Sequence, residues 1–465
     1  MGAMVHSAQW LALGVSRGDA PEECGDVIGK ASGDVTAHEM HVYAQAEPKI
    51  FITVSSLADE TSERQLELNW YNHDSLLEQD PGLWVGLYST NPLAIDQATN
   101  QPVSRAMVAD HPYNFFRTKV QLPRLTLTPA TIFRGCLSYW AAMVHSNGDV
   151  AATSCLSTQP DWMWKEREVL EGRPVTDVMI PGAHDAGSYS YLDDTYRHPV
   201  TRFVYCQEES IFNQLAFGLR FFDLRVAYDE LDGQFYVSHG LYTTNRTLNE
   251  VIQDVKSFLE ATKEIVIIDF HSFDRGFKGN PLQEKLHREL IHLLTGGLEE
   301  YMVSTIRAPS PTFGDLWSSG QRLIVGYKSP YRSLSSLLFP PVRHLWGNVD
   351  EPKALEAYLK RVVCKDSHDS LSSAMAELTP NAIGLLTNRY RSLRHMADQV
   401  NRNVTTWFRD WFWKCANIVA VDYFLGSGIV EVAIEANRRR HSANRWWKDN
   451  VWNRFLRFKN RTITP

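Results

Sequence analysis

Between Lys49 and Ser157 apolar residues recur at every second position in short runs: Ile50-Phe-Ile-Thr-Val54, Leu66-Glu-Leu-Asn-Trp70, Leu83-Trp-Val-Gly-Leu-Tyr88 and Phe115 to Leu122. A period of two is that of a strand with one buried face, so the stretch predicts an all-β, sandwich-like unit over residues 48–160. Its clearest hairpin runs from Tyr139 to Ser146, turns at Asn147-Gly148 and returns from Asp149 to Thr153, because Asn-Gly accepts the positive φ angles of a type I′ turn. Mirror pairing about that turn sets Trp140, not Cys136, opposite Cys155. A cross-strand disulfide there is disfavoured unless a bulge shifts the register. Ser157-Thr-Gln-Pro-Asp-Trp162 reads as a linker.

From Trp162 the pattern changes. Strand-like runs at Val175–Ile180, Leu219–Val226, Gln234–His239, Glu264–Phe270, Arg322–Tyr327, Ala382–Leu386 and Asn417–Tyr423 are interleaved with helical periodicity at Leu248–Thr262 and Gln283–Leu294. Strands separated by helices predict parallel βαβ units, and residues 161–465 fit an irregular α/β TIM-type barrel with its chemistry at the strand C-termini. Residues 1–47 show little periodicity and predict a poorly ordered lead-in. At the other end, Trp447, Val451, Phe455 and Phe458 form one apolar stripe flanked by cations. Such a helix lies on an anionic lipid surface or packs on its own barrel.

Composition narrows the field. A formal net charge of −7, 44% hydrophobic and 22% charged residues describe a soluble globular chain. A general nucleic-acid binder would carry a basic excess, and no apolar run reaches the roughly 18 residues of a membrane span, so any membrane contact is peripheral. The six cysteines show no CxxC spacing and read as buried thiols rather than as zinc or redox sites. The first residues lack a positively charged signal n-region, and His6 stands where a myristoylation pattern requires Ser or Thr. These features favour a cytoplasmic or peripheral membrane location, while the sequons at Asn245, Asn403 and Asn460 point the other way, to a secreted chain.

The candidate chemistry lies at strand ends. Strand parity puts Leu219, Phe221, Asp223 and Arg225 on one face, running from apolar interior to polar rim. The same change recurs where Val178 and Ile180 lead to His184 and Asp185, Phe235 and Val237 to His239, Ile265 and Ile267 to Asp269 and His271, and Ile418 and Ala420 to Asp422. A lone strand-end histidine is more often a hydrogen-bonded structural residue. Convergence from five strands onto one rim is what gives these residues weight.

Val178-Met-Ile-Pro-Gly-Ala-His184-Asp185-Ala-Gly-Ser, Phe221-Phe-Asp-Leu-Arg225, Val237-Ser-His239-Gly240 and Glu264-Ile-Val-Ile-Ile-Asp-Phe resemble the X domain of phosphatidylinositol-specific phospholipase C. The likeness is greatest to the X-domain-only proteins and spans Trp162 to Gly428. Ala183 departs from the family's usual Thr or Ser. The resemblance implies His184 as the general base on the inositol 2-hydroxyl and His239 as the general acid on the diacylglycerol oxygen, giving a cyclic inositol phosphate. Arg225 would hold the phosphate, Asp422 would orient the base, and Asp185 and Asp223 would complete the polar shell. In calcium-dependent members the position of Arg225 holds an acid, so an arginine there implies catalysis with no metal and no cofactor. His271, Asp269, Lys328 and Arg389 are candidate substrate ligands, the substrate being an inositol phospholipid at a membrane surface. The competing readings are a metal-dependent glycerophosphodiesterase or phospholipase D-like barrel, and a catalytically silent lipid-binding scaffold.

Overall fold

A computed structural model describes residues 47–94, 101–190, 198–279, 281–306, 310–366 and 369–447, with side chains to residue 443. The expected lead-in and the side chains of the C-terminal stripe lie outside the described residues.

The alternating segments pair as expected into two antiparallel sheets. One joins β1 (Lys49–Val54), β2 (Gln65–Tyr71) and β5 (Phe115–Gln121); the other has the order β4-β3-β6-β7, built from β3 (Trp84–Tyr88), β4 (Ser104–Met107), β6 (Cys136–Val144) and β7 (Val150–Ser157). Their inward residues, among them Val54, Leu66, Leu68, Leu83, Val85 and Met143, are buried in one continuous core.

The cysteines require a correction. Trp140 does face Cys155, but the register shifts between Cys136 and Trp140, and Ser138 takes φ +66°. That bulge brings Cys136 within reach of Cys155, and the two are disulfide-bonded, as are Cys364 and Cys415. Among the described cysteines Cys206 alone is a buried free thiol.

Eight parallel strands form the second layer, in the order β14-β13-β12-β9-β8-β17-β16-β15. They are β8 (Ile180–Ala183), β9 (Phe221–Asp229), β12 (Val266–Phe273), β13 (Leu323–Tyr327), β14 (Leu338–Phe339), β15 (Arg343–Trp346), β16 (Ser372–Met375) and β17 (Ile418–Val421). Runs such as Val266-Ile-Ile and Ile418-Val-Ala-Val are buried on both faces, as strands covered by helices must be. The helix Leu248–Ala261 shows why: a Thr247/Glu250 capping box starts it, and Leu248, Val251, Ile252, Val255, Phe258 and Leu259 make its buried stripe. The sheet curls into a barrel. Phe221 of β9 packs 6.4 Å from the His344 ring of β15, although β8, β17 and β16 lie between those strands in the order. The ends of the order, β14 and β15, are joined through Pro340-Pro341-Val342, and the prolines lack the N–H donors a ladder needs. No pairing closes that seam among the described residues.

Three expected strands are different. Ala382–Leu386 is a helix, capped by the Asn381 side chain accepting from the Gly384 N–H; the strand in that region is β16, ten residues earlier. Gln234–His239 is β10, but it is not a barrel strand. It pairs antiparallel with β9 and with β11 (Tyr242–Thr247), so His239 reaches the rim on a returning hairpin. The Val175–Ile180 run begins as a 3-10 turn at Val175–Asp177, and the strand starts only at Ile180.

A buried ion cluster fastens the sheets to the barrel. Arg64, next to β2, is 1% exposed and reaches Glu208 Oε1 at 3.0 Å and Glu209 Oε1 at 2.7 Å. Arg394 completes the cluster, donating to Glu208 Oε2 at 2.9 Å and to the Ser56 carbonyl at 3.3 Å.

Candidate active site

Adjacent strands bring the expected groups together. β9, β8 and β17 are neighbours, so Asp223 and Arg225, His184, and Asp422 stand side by side at their C-terminal ends. Gly182 permits this approach, because a Cβ there would lie 2.6 Å from the Phe221 ring. Each of three polar residues is followed at once by a residue with positive φ: Asp185 (+39°) after His184, Gly240 (+58°) after His239 and Tyr423 (+45°) after Asp422. The sharp turns lift the three side chains onto the rim. For a non-glycine residue such a backbone costs about 1–3 kcal/mol, and it is held by surrounding bonds. The Asp185 N–H donates to Asp223 Oδ2 at 3.2 Å, the Tyr423 hydroxyl to the Tyr205 carbonyl at 2.7 Å, and the Asn401 amide to the Asp422 and Tyr423 carbonyls.

One segment, Val204–Gln207, positions both histidines. His239 Nδ1–H donates to the Val204 carbonyl at 2.5 Å. The Gln207 amide donates to the His184 carbonyl at 3.0 Å and to the Val421 carbonyl at 2.8 Å. The next two residues are Glu208 and Glu209, the partners of Arg64.

The two imidazoles stand 6.5 Å apart and perpendicular. His184 Nδ1 lies 2.8 Å from Asp422 Oδ1, and its Nε2 lies 2.7 Å from Arg225 Nη2. Arg225 can only donate, so this contact requires a bare Nε2, with the proton on Nδ1 and shared with Asp422. Burial pushes the His184 pKa down, but Asp422 and then Glu377 overcome it and hold it at about 9. Arg225 opposes that proton, as burial does, so His184 is a strong base for whose lone pair the guanidinium competes.

His239 is the opposite. Burial, then the charges of Arg225 and His184, depress it to about 3, so it is neutral in the free site. Arg225 sits between two buried carboxylates, Nη1 at 3.7 Å from Asp185 Oδ2 and Nη2 at 3.7 Å from Asp223 Oδ2. Burial lowers its pKa, and those two acids more than restore it. They divide the task unequally. Burial raises Asp223, but Arg225 brings it well below the carboxylate range; burial dominates at Asp185, which rises to about 7.

A cavity of about 900 Å³ opens here, lined by His184, His239, Arg225 and Asp422, with His271 and Lys328 on the facing wall. Lys328 Nζ lies 2.7 Å from His271 Nε2, and His271 Nδ1 lies 2.8 Å from Asp269 Oδ2. Asp269 is fully buried behind that histidine and does not line the cavity. Arg389 is not brought to the cavity at all: it pairs with Asp350 and Glu351. Other wall residues had not been expected. His344 stacks on His271 at 3.5 Å, Trp346 donates to Thr379 Oγ1 at 3.0 Å, and Glu377 and Cys206 also line the cavity.

Among the described residues three sets of possible metal ligands lie within 4.8 Å of one another: His184, Cys206 and Asp422; Asp185, Cys206 and His239; and Asp269, His271 and His344. Arg225 puts a fixed positive charge against one member of each of the first two sets, His184 Nε2 and Asp185 Oδ2.

Residues 179–272 match the family model described as phosphatidylinositol-specific phospholipase C, X domain. The PI-PLC X domain-containing protein 1 of Danio rerio is 25% identical over 307 residues, covering 60% of this chain and 96% of that protein. Its Homo sapiens counterpart is 26% identical over 328 residues, covering 64% and 98%. Among solved structures, a phosphatidylinositol-specific phospholipase C from Staphylococcus aureus superposes with a TM-score of 0.47 at 18% identity, covering 60% of this chain and 97% of that one. The enzyme of that name from Listeria monocytogenes gives 0.46 at 19%, covering 60% and 98%.

Proposed function

We propose that this chain, which carries an X domain of phosphatidylinositol-specific phospholipase C, is a phosphoric diester hydrolase of the phospholipase C type that cleaves phosphatidylinositol-like lipids without a metal. The observation that carries the reading is the position of Arg225: bracketed by Asp185 and Asp223 and touching His184 Nε2, it puts a fixed cation where a phosphate would meet both imidazoles.

The phosphate draws the guanidinium off His184 and onto its own oxygens through charge-assisted bonds. His184 Nε2 is then free to take the proton of the headgroup hydroxyl next to the phosphodiester. That oxygen attacks phosphorus, the bond from phosphorus to the diacylglycerol oxygen breaks, and His239 Nε2–H protonates the departing oxygen. One proton enters at His184 and one leaves at His239, and exchange with water resets the pair. The neutral His239 of the free site acquires its proton because a bound phosphodiester anion favours the imidazolium. The imidazolium formed on His184 is stabilised by Asp422 behind it.

A lipid substrate also needs a surface. Leu241, which follows Gly240, is 74% exposed, Trp346 50%, Ile383 75% and Leu386 88%, and Gly240, Trp346 and Leu385 line the cavity. Exposed apolar groups beside the mouth support peripheral docking on a phospholipid membrane. No helix among the described residues is long and apolar enough to cross one.

The test is turnover of phosphatidylinositol in mixed micelles with EDTA, Ca²⁺ or Mg²⁺. We expect cyclic inositol phosphate at equal rates in all three; abolition by EDTA would overturn the metal-free reading, and lipid binding with no product would favour the scaffold. The pH profile tests the base. The alkaline limb of kcat/KM reports His184 in the free enzyme, held at about 9 against burial by Asp422. Asp422→Asn removes the larger of the two charges that raise it, so that limb is expected to move to lower pH. A limb that stays in place would remove Asp422 from its role behind the base.

A further inference from the structure

Glu377 stands at the rim; its charge helps to raise His184, but it touches no reacting group in the chemistry above. It lies two residues beyond the end of β16, on the same face as Met375, and the Ala376 N–H donates to the Ala420 carbonyl at 2.8 Å, so the ladder with β17 continues past the strand. Met375 pairs with Ala420, and Glu377 is therefore level with Asp422. Its side chain lines the cavity, is 3% exposed, and neither of its carboxylate oxygens is bonded to another residue. Buried polar atoms are nearly always partnered, and the open direction here is the cavity.

The ionised carboxylate calls for a donor. A cationic headgroup would supply one, but the lining already sets Arg225, Lys328 and Arg343 against Asp274, Asp422 and Glu377, so charge alone does not select a cation. A hydroxyl donates without carrying charge. We infer that Glu377 is a specificity-determining residue that accepts a hydrogen bond from a hydroxyl of a polyol headgroup held beside His184. The inference rests on the function proposed above and names the residue by which that site selects polyols. Burial raises the Glu377 carboxyl to about 7, with His184 opposing; a hydroxyl, being both donor and acceptor, is matched to either form of the acid.

Glu377→Leu and Glu377→Gln separate recognition from electrostatics. Leucine removes a buried group that has no partner, which favours folding, and circular dichroism verifies the fold of both variants. With phosphatidylinositol in mixed micelles, Glu377→Leu is expected to raise KM by about 10–100-fold, the range of a hydrogen bond to a charged group, with a smaller change in kcat. Glu377→Gln keeps an acceptor oxygen and is expected to recover most of that loss. Lipid analogues each lacking one headgroup hydroxyl complete a cycle: one deoxy position that penalises the wild type should leave Glu377→Leu indifferent. A Glu377→Leu variant with unchanged KM and unchanged deoxy discrimination, altered only in its pH profile, would overturn the inference and leave Glu377 acting on His184 alone. If the wild type turns over no inositol lipid, the proposed function fails separately. Calorimetric binding of inositol 1-phosphate to wild type and Glu377→Leu then decides Glu377: equal affinity, or no binding to either, overturns it.

Discussion

His184→Ala and His239→Ala are each expected to lower turnover of phosphatidylinositol by about 10³-fold, the middle of the range for a positioned acid or base, and to differ in what rescues them. Protonation of the leaving oxygen matters only when that oxygen is a poor leaving group. A substrate carrying a low-pKa alcohol in place of diacylglycerol departs without help. His239→Ala should therefore regain most of its rate on a nitrophenyl ester of the same headgroup phosphate, while His184→Ala should not, since the attacking hydroxyl still needs its proton removed. The measurement is kcat on both substrates for both variants. Equal rescue, or rescue of His184→Ala, would exchange or dissolve the two roles. The depressed pKa of His239, about 3, and the elevated one of His184, about 9, say what each role requires: the substrate's negative charge favours the proton that His239 must give up, while the Arg225 guanidinium opposes a proton on His184 and so favours its base form.

The parts of the site that were legible in the chain lie on strands with a loud signature. β12 opens Val-Ile-Ile-Asp, β17 is Ile-Val-Ala-Val with Asp422 next, and β9 turns from Phe to Asp and Arg in strict alternation. β14, β15 and β16 have no such signature. Leu-Phe is too short, Arg-His-Leu-Trp carries a single aliphatic residue, and Ser-Ser-Ala-Met is small and polar. β14 and β16 are buried all the same and β15 has exposed ends, which is set by the tertiary structure and not by any local pattern. With those strands unread, His344, Trp346 and Glu377 went unread too, and the apolar run Ala382–Leu386 stood in as a strand although it is a surface helix with Ile383 and Leu386 exposed. His-x-Trp on β15 does echo the Asp-x-Arg of β9, a same-face polar pair at a strand end, and was the available signal. The direction of β10 was also readable. Asp232-Gly233 marks a hairpin turn, with Gly233 at φ +72° and its N–H on the Asp229 carbonyl at 3.0 Å. The bulge that joins Cys136 to Cys155 had no such mark, because register shifts are set by the pairing of whole strands.

Arg64→Met is expected to destabilise the protein by about 3–5 kcal/mol, the penalty for leaving a buried charge without its partner, and to do so more at neutral than at acid pH. Glu208 keeps Arg394 when Arg64 is lost, but Glu209 keeps only the amide of Asn213, at 2.6 Å. Burial already raises the Glu209 carboxyl against the pull of Arg64, and removing that guanidinium raises it further. A carboxyl that titrates higher in the fold than in the unfolded chain adds stability below its ordinary value and loses it as pH rises through the folded value. The variant's deficit should therefore shrink on acidification. Denaturant melts of wild type and Arg64→Met across that range measure it, and adding Glu209→Gln, which makes the orphan neutral, should return most of the loss at neutral pH. A deficit independent of pH and untouched by Glu209→Gln would mean that Arg64 acts through packing alone. The same pair bears on catalysis, since Glu208 and Glu209 continue directly from the segment whose Val204 carbonyl fixes His239 and whose Gln207 amide fixes the His184 backbone. Through Arg64 the β sheets anchor that segment. Folded Arg64→Met should accordingly lose kcat with little change in KM, and regain it in the double variant, because the displaced groups are the two imidazoles rather than the cavity wall that faces the lipid headgroup.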